Sequence, residues 1–391
     1  MEQVRSRPAM SGIEMLSRVI GFDTTSHRPN LPLIDFARSW LDAHDVPYRL
    51  SFDPTGLKAN LHATIGPLQA GGIAFAGHVD TVPVDGQSWT GDPFVLRREH
   101  GRLIGRGACD MKGFVAAMLA AVPDITARRL TRPVHLFLTY DEEVGYHGAR
   151  RLMEDVAASG LRPDGCVVGE ASGMRPIIAQ KGRMIVKVTV RGHMAHSSEA
   201  HRGINAVHAA AEAIAWLSAD QRRLAVEGPF EDGFDPPYTL LQVTDVSCDP
   251  MPNTVPSTAR FQFEWRNVPA TDLKHEFARF REHVATVIAP RMRLPNHEAG
   301  FDYEVSLDLG SLSMSPDHEL ARAACLVTGA GAAGKVSFCS EGSLFQPAGI
   351  PSMVCGPGFV PQTHRPDEWI DESQFVRCEA FIRGIVDRLA V

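Results

Sequence analysis

The chain reads as an α/β protein: a larger domain with a mainly parallel sheet flanked by helices, interrupted by an inserted ferredoxin-like α+β domain. Three observations predict this. Strand-like and helix-like segments alternate as far as Glu170, the texture changes from Lys181 to a β, α, β, β, α, β order, and the first texture resumes after about Leu312. The boundaries fall at residues 1–181 and 309–391 for the larger domain and 182–308 for the inserted one.

Taken in order, "LIDFARSWLDAH" has helical spacing, "GIAFAG" is a short apolar strand, "GFVAAMLAAVP" a buried helix and "VHLFLTY" a second strand. A helix from Gly148 to about Ser159 and the strand "GCVVGE" complete the first run. In the inserted part, "RMIVKVTVRG" alternates polar and apolar residues, as a sheet with one buried face requires. The alanine-rich helix "NAVHAAAEAIAWL", strands "YTLLQVTDV" and "ARFQFEWR", helix "LKHEFARFREHVATVI" and strand "FDYEVSLDL" follow. The last section holds "DHELARAACLVTG", "KVSFCSEG", "IPSMVCGPG" and a closing helix "ESQFVRCEAFIRGIVDRLAV".

Composition excludes several function classes. The 391 residues carry 39 basic and 46 acidic side chains, net −7, with no basic run to track a phosphate backbone, so nucleic acid is not expected as a partner. The longest apolar stretch, near "GFVAAMLAAVP", is far short of the ~20 residues that span a bilayer, and "MEQVRSRPAMSGIEMLSRVI" lacks the apolar core of a signal peptide. No membrane association and a cytoplasmic location are expected. Seven cysteines without a CxxC pair fit a reducing compartment, with most of them buried as small hydrophobes.

Ligands of open α/β sheets bind beyond the carboxyl ends of the strands, and that is where the unusual residues fall. "AFAGHVD" ends on His78 and Asp80, "HLFLTYDEE" on Asp141, Glu142 and Glu143, and "CVVGE" on Glu170; "SMVCGPG" leads to His364, and "GRGACDMKG" holds Asp110 in a glycine-rich turn. Carboxylates crowded at one sheet edge repel one another unless a cation compensates them. Imidazole and carboxylate without thiolate suit zinc, manganese, cobalt or iron. Five ligands with one shared carboxylate suit two ions, about 3.5–4 Å apart. Asp80, on the same side of the strand as His78, is better placed to fix the imidazole than to bind metal. Of Glu142 and Glu143, one would face the metal and the other the attacking water, as general base.

On the segments "GHVDTVP", "GRGACDMKGF", "YDEEVG", "GE" at Gly169–Glu170 and "GPGFVPQTHRPDE", in this order, the chain resembles the zinc-dependent aminoacylase, acetylornithine deacetylase and carboxypeptidase superfamily. "GRGACDMKGF" and "CSEGSLF" are most similar to acetylornithine deacetylases. The resemblance implies one zinc on His78, Asp110 and Glu170 and another on Asp110, Glu143 and His364, with Asp110 bridging, Asp80 clamping His78 and Glu142 as base. It also implies a cis peptide between Asp110 and Met111, and that the inserted domain is a lid through which the protein forms a homodimer.

Within that lid, "GHMAHSSEAHRGINA" resembles the segment whose histidine, here His196, reaches the neighbouring subunit's site and binds the developing oxyanion; His193 and His201 lie nearby. "MPNTVPSTARFQFEWRNVP" resembles the segment whose asparagine and arginine, here Asn253 and Arg266, hold the substrate carboxylate. The departures, "GEAS" for the usual "GEPT" and "RNVPATD" for an "RPLPG"-like turn, touch no ligand but alter the pocket's surroundings. The implied activity is hydrolysis of an N-acyl amino acid, foremost N2-acetyl-L-ornithine to L-ornithine and acetate, with two Zn²⁺, or Co²⁺ or Mn²⁺, as cofactors. Succinyl-diaminopimelate desuccinylase, another deacylase or a carboxypeptidase are alternatives in the same superfamily, and a non-catalytic zinc-stabilised binding protein is one from another class.

Two other patterns carry nothing. "GAGAAGK" at Gly329–Lys335 follows a helix and precedes a strand, the reverse of a nucleotide-binding loop, and is read as a helix C-terminal turn. "SEGSLF" lacks the G-x-S-x-G elbow of a serine nucleophile.

Overall fold

The computed structural model describes residues 9–249, 252–293 and 298–391. Met251, in the segment quoted for Asn253, and the first eight residues lie outside the described residues. Helices α1 (Gly12–Ile20) and α2 (Leu31–Asp42) precede strands β1 (Tyr48–Phe52), β2 (Ala59–Ile65), β3 (Ile73–His78), β4 (Arg97–Glu99) and β5 (Arg102–Ile104). Then come α3 (Lys112–Ala120), α4 (Val122–Thr126), β6 (Val134–Thr139), α5 (His147–Ser159), β7 (Gly165–Ala171), β8 (Ile177–Gln180) and β9 (Gly182–Arg191). They are followed by α6 (Ala206–Glu227), β10 (Leu240–Cys248), β11 (Thr258–Asn267), α7 (Leu273–His283), β12 (Gly300–Leu309) and β13 (Leu312–Ser313). The chain closes with α8 (Glu319–Thr328), β14 (Gly334–Val336), α9 (Gly342–Phe345), β15 (Ser352–Gly356), β16 (Trp369–Asp371) and α10 (Glu372–Leu389).

Two compact units form. The first holds the chain up to Ala179, Leu312–Gly334 and Ser340–Val391; the second holds Gln180–Ser311 and Lys335–Cys339. The sequence placed Lys335–Cys339 in the larger domain. It belongs with the second unit because Lys335 pairs with Glu231 at 2.8 Å and the Val336 carbonyl accepts from the Lys181 amide at 3.2 Å.

In the first unit the large sheet has the order β1-β2-β6-β3-β7-β15-β8-β13. Its centre is parallel, β6 with β3, β3 with β7 and β7 with β15, while β2 joins β6 antiparallel. Strands β3, β6 and β7 are buried at every residue, as continuous apolar strands covered by helices must be. Helix α3 lies directly on them: a Cβ at Gly169 would come within 1.9 Å of the Phe114 ring. Glycine there lets the helix approach the strand that carries Glu170. The expected helix C-terminal turn is present, α8 ending at Gly329 with φ 71°.

The second unit is an antiparallel sheet of order β10-β11-β9-β12 with α6 and α7, the ferredoxin-like arrangement. Strand β9 buries Met184, Val186, Val188 and Val190, and β11 buries Ala259, Phe261, Phe263 and Trp265; both pack against Ala209, Ala213 and Leu217 of α6 and Phe280 of α7. The seven cysteines form no disulfide, and Cys109, Cys166, Cys355 and Cys378 are buried. No described helix is long and apolar enough to cross a membrane.

Candidate metal centre

Parallel pairing builds the site. His78, last residue of β3, stands beside Thr139, last residue of β6, and β7 on the other side of β3 carries Glu170 near its end. After β6 the chain turns at Asp141, φ 56°, which delivers Glu142 and Glu143. Lys58 forms an ion pair with Asp141 and so secures the turn. Asp110 arrives from the loop between β5 and α3, and His364 from the loop before β16; the two loops are neighbours because Trp369 of β16 pairs with Ile104 of β5. The Asp110–Met111 peptide is cis.

The distances define two triads. His78 Nε2 lies 3.1 Å from Asp110 Oδ1 and 3.8 Å from Glu170 Oε1; His364 Nε2 lies 3.0 Å from Asp110 Oδ2 and 3.0 Å from Glu143 Oε1. Each Asp110 oxygen thus faces a different histidine. Within each triad, His78–Asp110–Glu170 and Asp110–Glu143–His364, the ligand atoms lie within 4.8 Å of one another. Glu142, 8 % exposed, belongs to neither.

The electrostatics are those of a cation site. Burial pushes the Glu142 and Glu170 carboxyls well above the usual range, with Glu170 adding to the first and Asp110 to both; burial and Asp110 raise Glu143 as well. Burial opposes protonation of His78, yet the Asp110 hydrogen bond and the charges of Glu142 and Asp80 outweigh it and raise its pKa well above normal. Hydrogen bonds to Asp110 and Glu143 raise His364 to about 10. Burial favours neutral Asp110, but hydrogen bonds from His364 and His78 hold its pKa below the usual range. Protons on the histidines offset carboxylates that would otherwise repel one another, and divalent cations on the same nitrogen and oxygen atoms would replace them. The donor set therefore fits two such ions. Neither triad contains a cysteine, and the Cys109 sulfur, next to Asp110 in the chain, donates to the Phe359 carbonyl at 3.7 Å.

Asp80 stands beside His78 and also holds the turn that follows β6. His78 Nδ1 meets the Asp80 backbone carbonyl at 3.0 Å, and the carboxylate is 3.6 Å away. That carboxylate also accepts from the amides of Glu142 and Glu143, at 3.1 and 3.3 Å, and from Ser26 Oγ at 2.8 Å. It holds the glutamate turn, a task the sequence did not reveal because it depends on two backbone N–H groups. Ser26 was likewise missed; nothing in "TTSHRP" marks it.

In the second unit His196 and Asn253 come together: the Ser197 amide donates to the Asn253 carbonyl at 2.8 Å, and His196 bridges Thr254. His196 Nδ1 lies 2.7 Å from Ser198 Oγ. Arg266 is not with them. It pairs with Arg183 across β11 and β9, while the His196–Asn253 loop adjoins the other end, where Thr258 pairs with Arg191. Eight residues of strand, roughly 26 Å, intervene. Within one copy, Asn253 and Arg266 therefore do not form one carboxylate clamp as expected; Arg266 faces Glu264 at 3.4 Å and Cys339 at 3.3 Å.

Known proteins resemble the chain across this architecture. It is 34% identical over 380 residues, 95% of each sequence, to an acetylornithine deacetylase of Myxococcus xanthus. Its fold is similar to that of an M20 family metallo-carboxypeptidase from Sulfolobus solfataricus, with TM-score 0.75 and 18% identity over 97% of this chain and 99% of that one. It is also similar to a dinuclear metal-binding M20 peptidase from Bacillus subtilis, with TM-score 0.66 and 17% identity over 95% and 97%. The family model described as peptidase family M20/M25/M40 matches residues 74–388, a span that runs from β3 into α10 and contains both triads, and the chain belongs to that family of hydrolases.

Proposed function

We propose that the protein hydrolyses the amide of an N-acyl amino acid, foremost N2-acetyl-L-ornithine to L-ornithine and acetate, as a step in arginine biosynthesis. The observation that carries this reading is the pair of triads sharing Asp110, with the buried Glu142 left outside both. The acetylornithine deacetylase relative supports the acyl amino acid, and the dinuclear B. subtilis peptidase supports two ions, which we take to be Zn²⁺ with Co²⁺ or Mn²⁺ as substitutes.

His78, Asp110 and Glu170 would hold one ion and Asp110, Glu143 and His364 the other. Such ions supply Lewis acidity and lower the pKa of water, so that a nucleophile exists at neutral pH. Glu142 takes the proton of the water that attacks the acyl carbonyl and returns it to the departing amine. Burial and like charge make its carboxyl unusually basic, which suits a group that must accept that proton. His196 donates to the developing oxyanion, and Arg266 forks the substrate carboxylate.

The separation of His196 and Asn253 from Arg266 along the sheet supports a homodimer through the second unit. Two copies can offer both ends of that sheet to small substrates; one copy cannot. A His196→Ala chain mixed with a Glu142→Ala chain should then regain activity through heterodimers, and verified heterodimers without activity would remove the shared site. Seven cysteines that form no disulfide support a cytoplasmic location.

The substrate is tested by kinetics after zinc reconstitution on N2-acetyl-L-ornithine beside N-succinyl amino acids and dipeptides. The largest kcat/KM is expected for acetylornithine. Preference for a succinyl compound or a dipeptide would reassign the substrate within the family.

A further inference from the structure

The two triads are built differently. His78 is fully buried at the end of a central strand, whereas the His364 side chain is 50% exposed on a loop. Something else must hold that loop, and the structure supplies it in two fully buried charges that the reaction does not use. Arg106 Nη1 pairs with Glu368 Oε2 at 2.7 Å. The other oxygen of Glu368 accepts from the amides of Cys109 and Asp110, both at 2.9 Å. Glu368 is four residues beyond His364, and its carbonyl also accepts from the Gly105 amide at 2.9 Å.

Arg106 then turns to the His364 side. Its Nη2 donates to Gln87 Oε1 at 2.5 Å, and Gln87 Nε2 donates to the His364 carbonyl at 3.3 Å. Arg106 Nη1 also reaches the Arg365 carbonyl at 3.4 Å. A planar guanidinium can serve carboxylate, amide and carbonyl at once; an ammonium on a flexible stem cannot keep that set. The contacts close a loop from the Asp110 backbone, through Glu368, Arg106 and Gln87, to the backbone of His364.

We propose that Gln87, Arg106 and Glu368 are positioning residues that fix the His364 loop against Asp110, and so set the affinity of the Asp110–Glu143–His364 position for its divalent ion more strongly than that of the His78 position, which shares only Asp110 with it. This rests on the two-ion reading of the site. Groups that orient metal ligands commonly change affinity ~10–100-fold when removed, and the range applies here mainly to one ion of two.

Zinc binding to chelator-stripped full-length protein tests it, by competition with a chromophoric chelator, on wild type, Gln87→Ala, Arg106→Lys and the reference variant His364→Ala. Gln87→Ala leaves the buried Arg106–Glu368 pair in place, so it reports even if Arg106→Lys fails to fold. The expected result is two equivalents in wild type, a first affinity unchanged in Gln87→Ala and less affected than the second in Arg106→Lys, and a second affinity weakened ~10–100-fold in both, approaching the loss in His364→Ala. A second affinity within about twofold of wild type in folded Gln87→Ala, or equal weakening of both ions, would overturn the clamp. A single equivalent in wild type would overturn the two-ion reading and the clamp with it, and is distinguished by that stoichiometry.

Discussion

Asp110 concentrates the chemistry of the site, since each of its oxygens faces a different histidine and its amide is held by Glu368. Glu142 is its counterpart, close enough to feel the charges of His78, Glu170, Glu143 and Asp110 yet outside both triads. A Glu142→Ala variant should retain its metal and lose ~10²–10⁴-fold in kcat, the usual contribution of general acid–base catalysis. Metal analysis beside turnover checks this, and a metal-loaded variant near wild-type rate would remove Glu142 from the role of base. Those positions were legible because ligand-type residues stand where apolar strands stop. Asp80 was half legible: its place beside His78 follows from strand alternation, but its hold on the glutamate turn appears only when backbone N–H groups have positions. Arg106 and Glu368 were quoted inside signature segments, yet nothing in sequence says that residues so far apart share a buried ion pair.

At the scale of elements, the strands with an unbroken apolar run or strict alternation were the legible ones. Strand β3 is apolar until His78, and β9 shows every second side chain buried. Strands β1 and β2 escaped notice for a physical reason. Although β2 is wholly buried, its Asn60, His62 and Thr64 break the apolar pattern. Asn60 Nδ2 donates to Ser51 Oγ and the Gly148 carbonyl, and His62 and Thr64 join His135 of β6, so these buried polar side chains find hydrogen-bond partners on other elements. Helix α1 was missed too. Its marker is local: Ser11 and Glu14 form a capping box, with the Ser11 amide donating to Glu14 at 2.8 Å. The separation of Asn253 from Arg266 was not legible, because their shared segment conceals that they sit at opposite ends of β11 and its neighbour.

For the whole molecule, the buried histidine pair makes stability depend on pH. His62 Nε2 and His135 Nδ1 lie 3.0 Å apart, and His135 Nε2 meets the Gly71 carbonyl at 3.2 Å. Burial, with His135 and Arg49 adding, lowers His62 to about 3, and burial lowers His135 to about 4 against the Gly71 and Asp164 interactions. The unfolded chain, with histidines near ~6.5, binds more protons below that pH. This contribution is therefore complete above pH ~6.5 and is lost as pH falls through 4 and 3, by up to ~1.4 kcal/mol per pH unit for each histidine. Urea unfolding between pH 7.5 and 4.5 should show a flatter pH dependence in a His62→Gln/His135→Gln variant than in wild type; equal slopes would contradict the assignment.

Under the proposed function, hydrolysis depends on cations held by the two triads around Asp110. Deacetylation of N2-acetyl-L-ornithine by chelator-stripped protein, followed as zinc is returned one equivalent at a time, tests it most directly. Negligible turnover is expected in the stripped protein, with full recovery by two equivalents. Undiminished turnover by metal-free protein would contradict it.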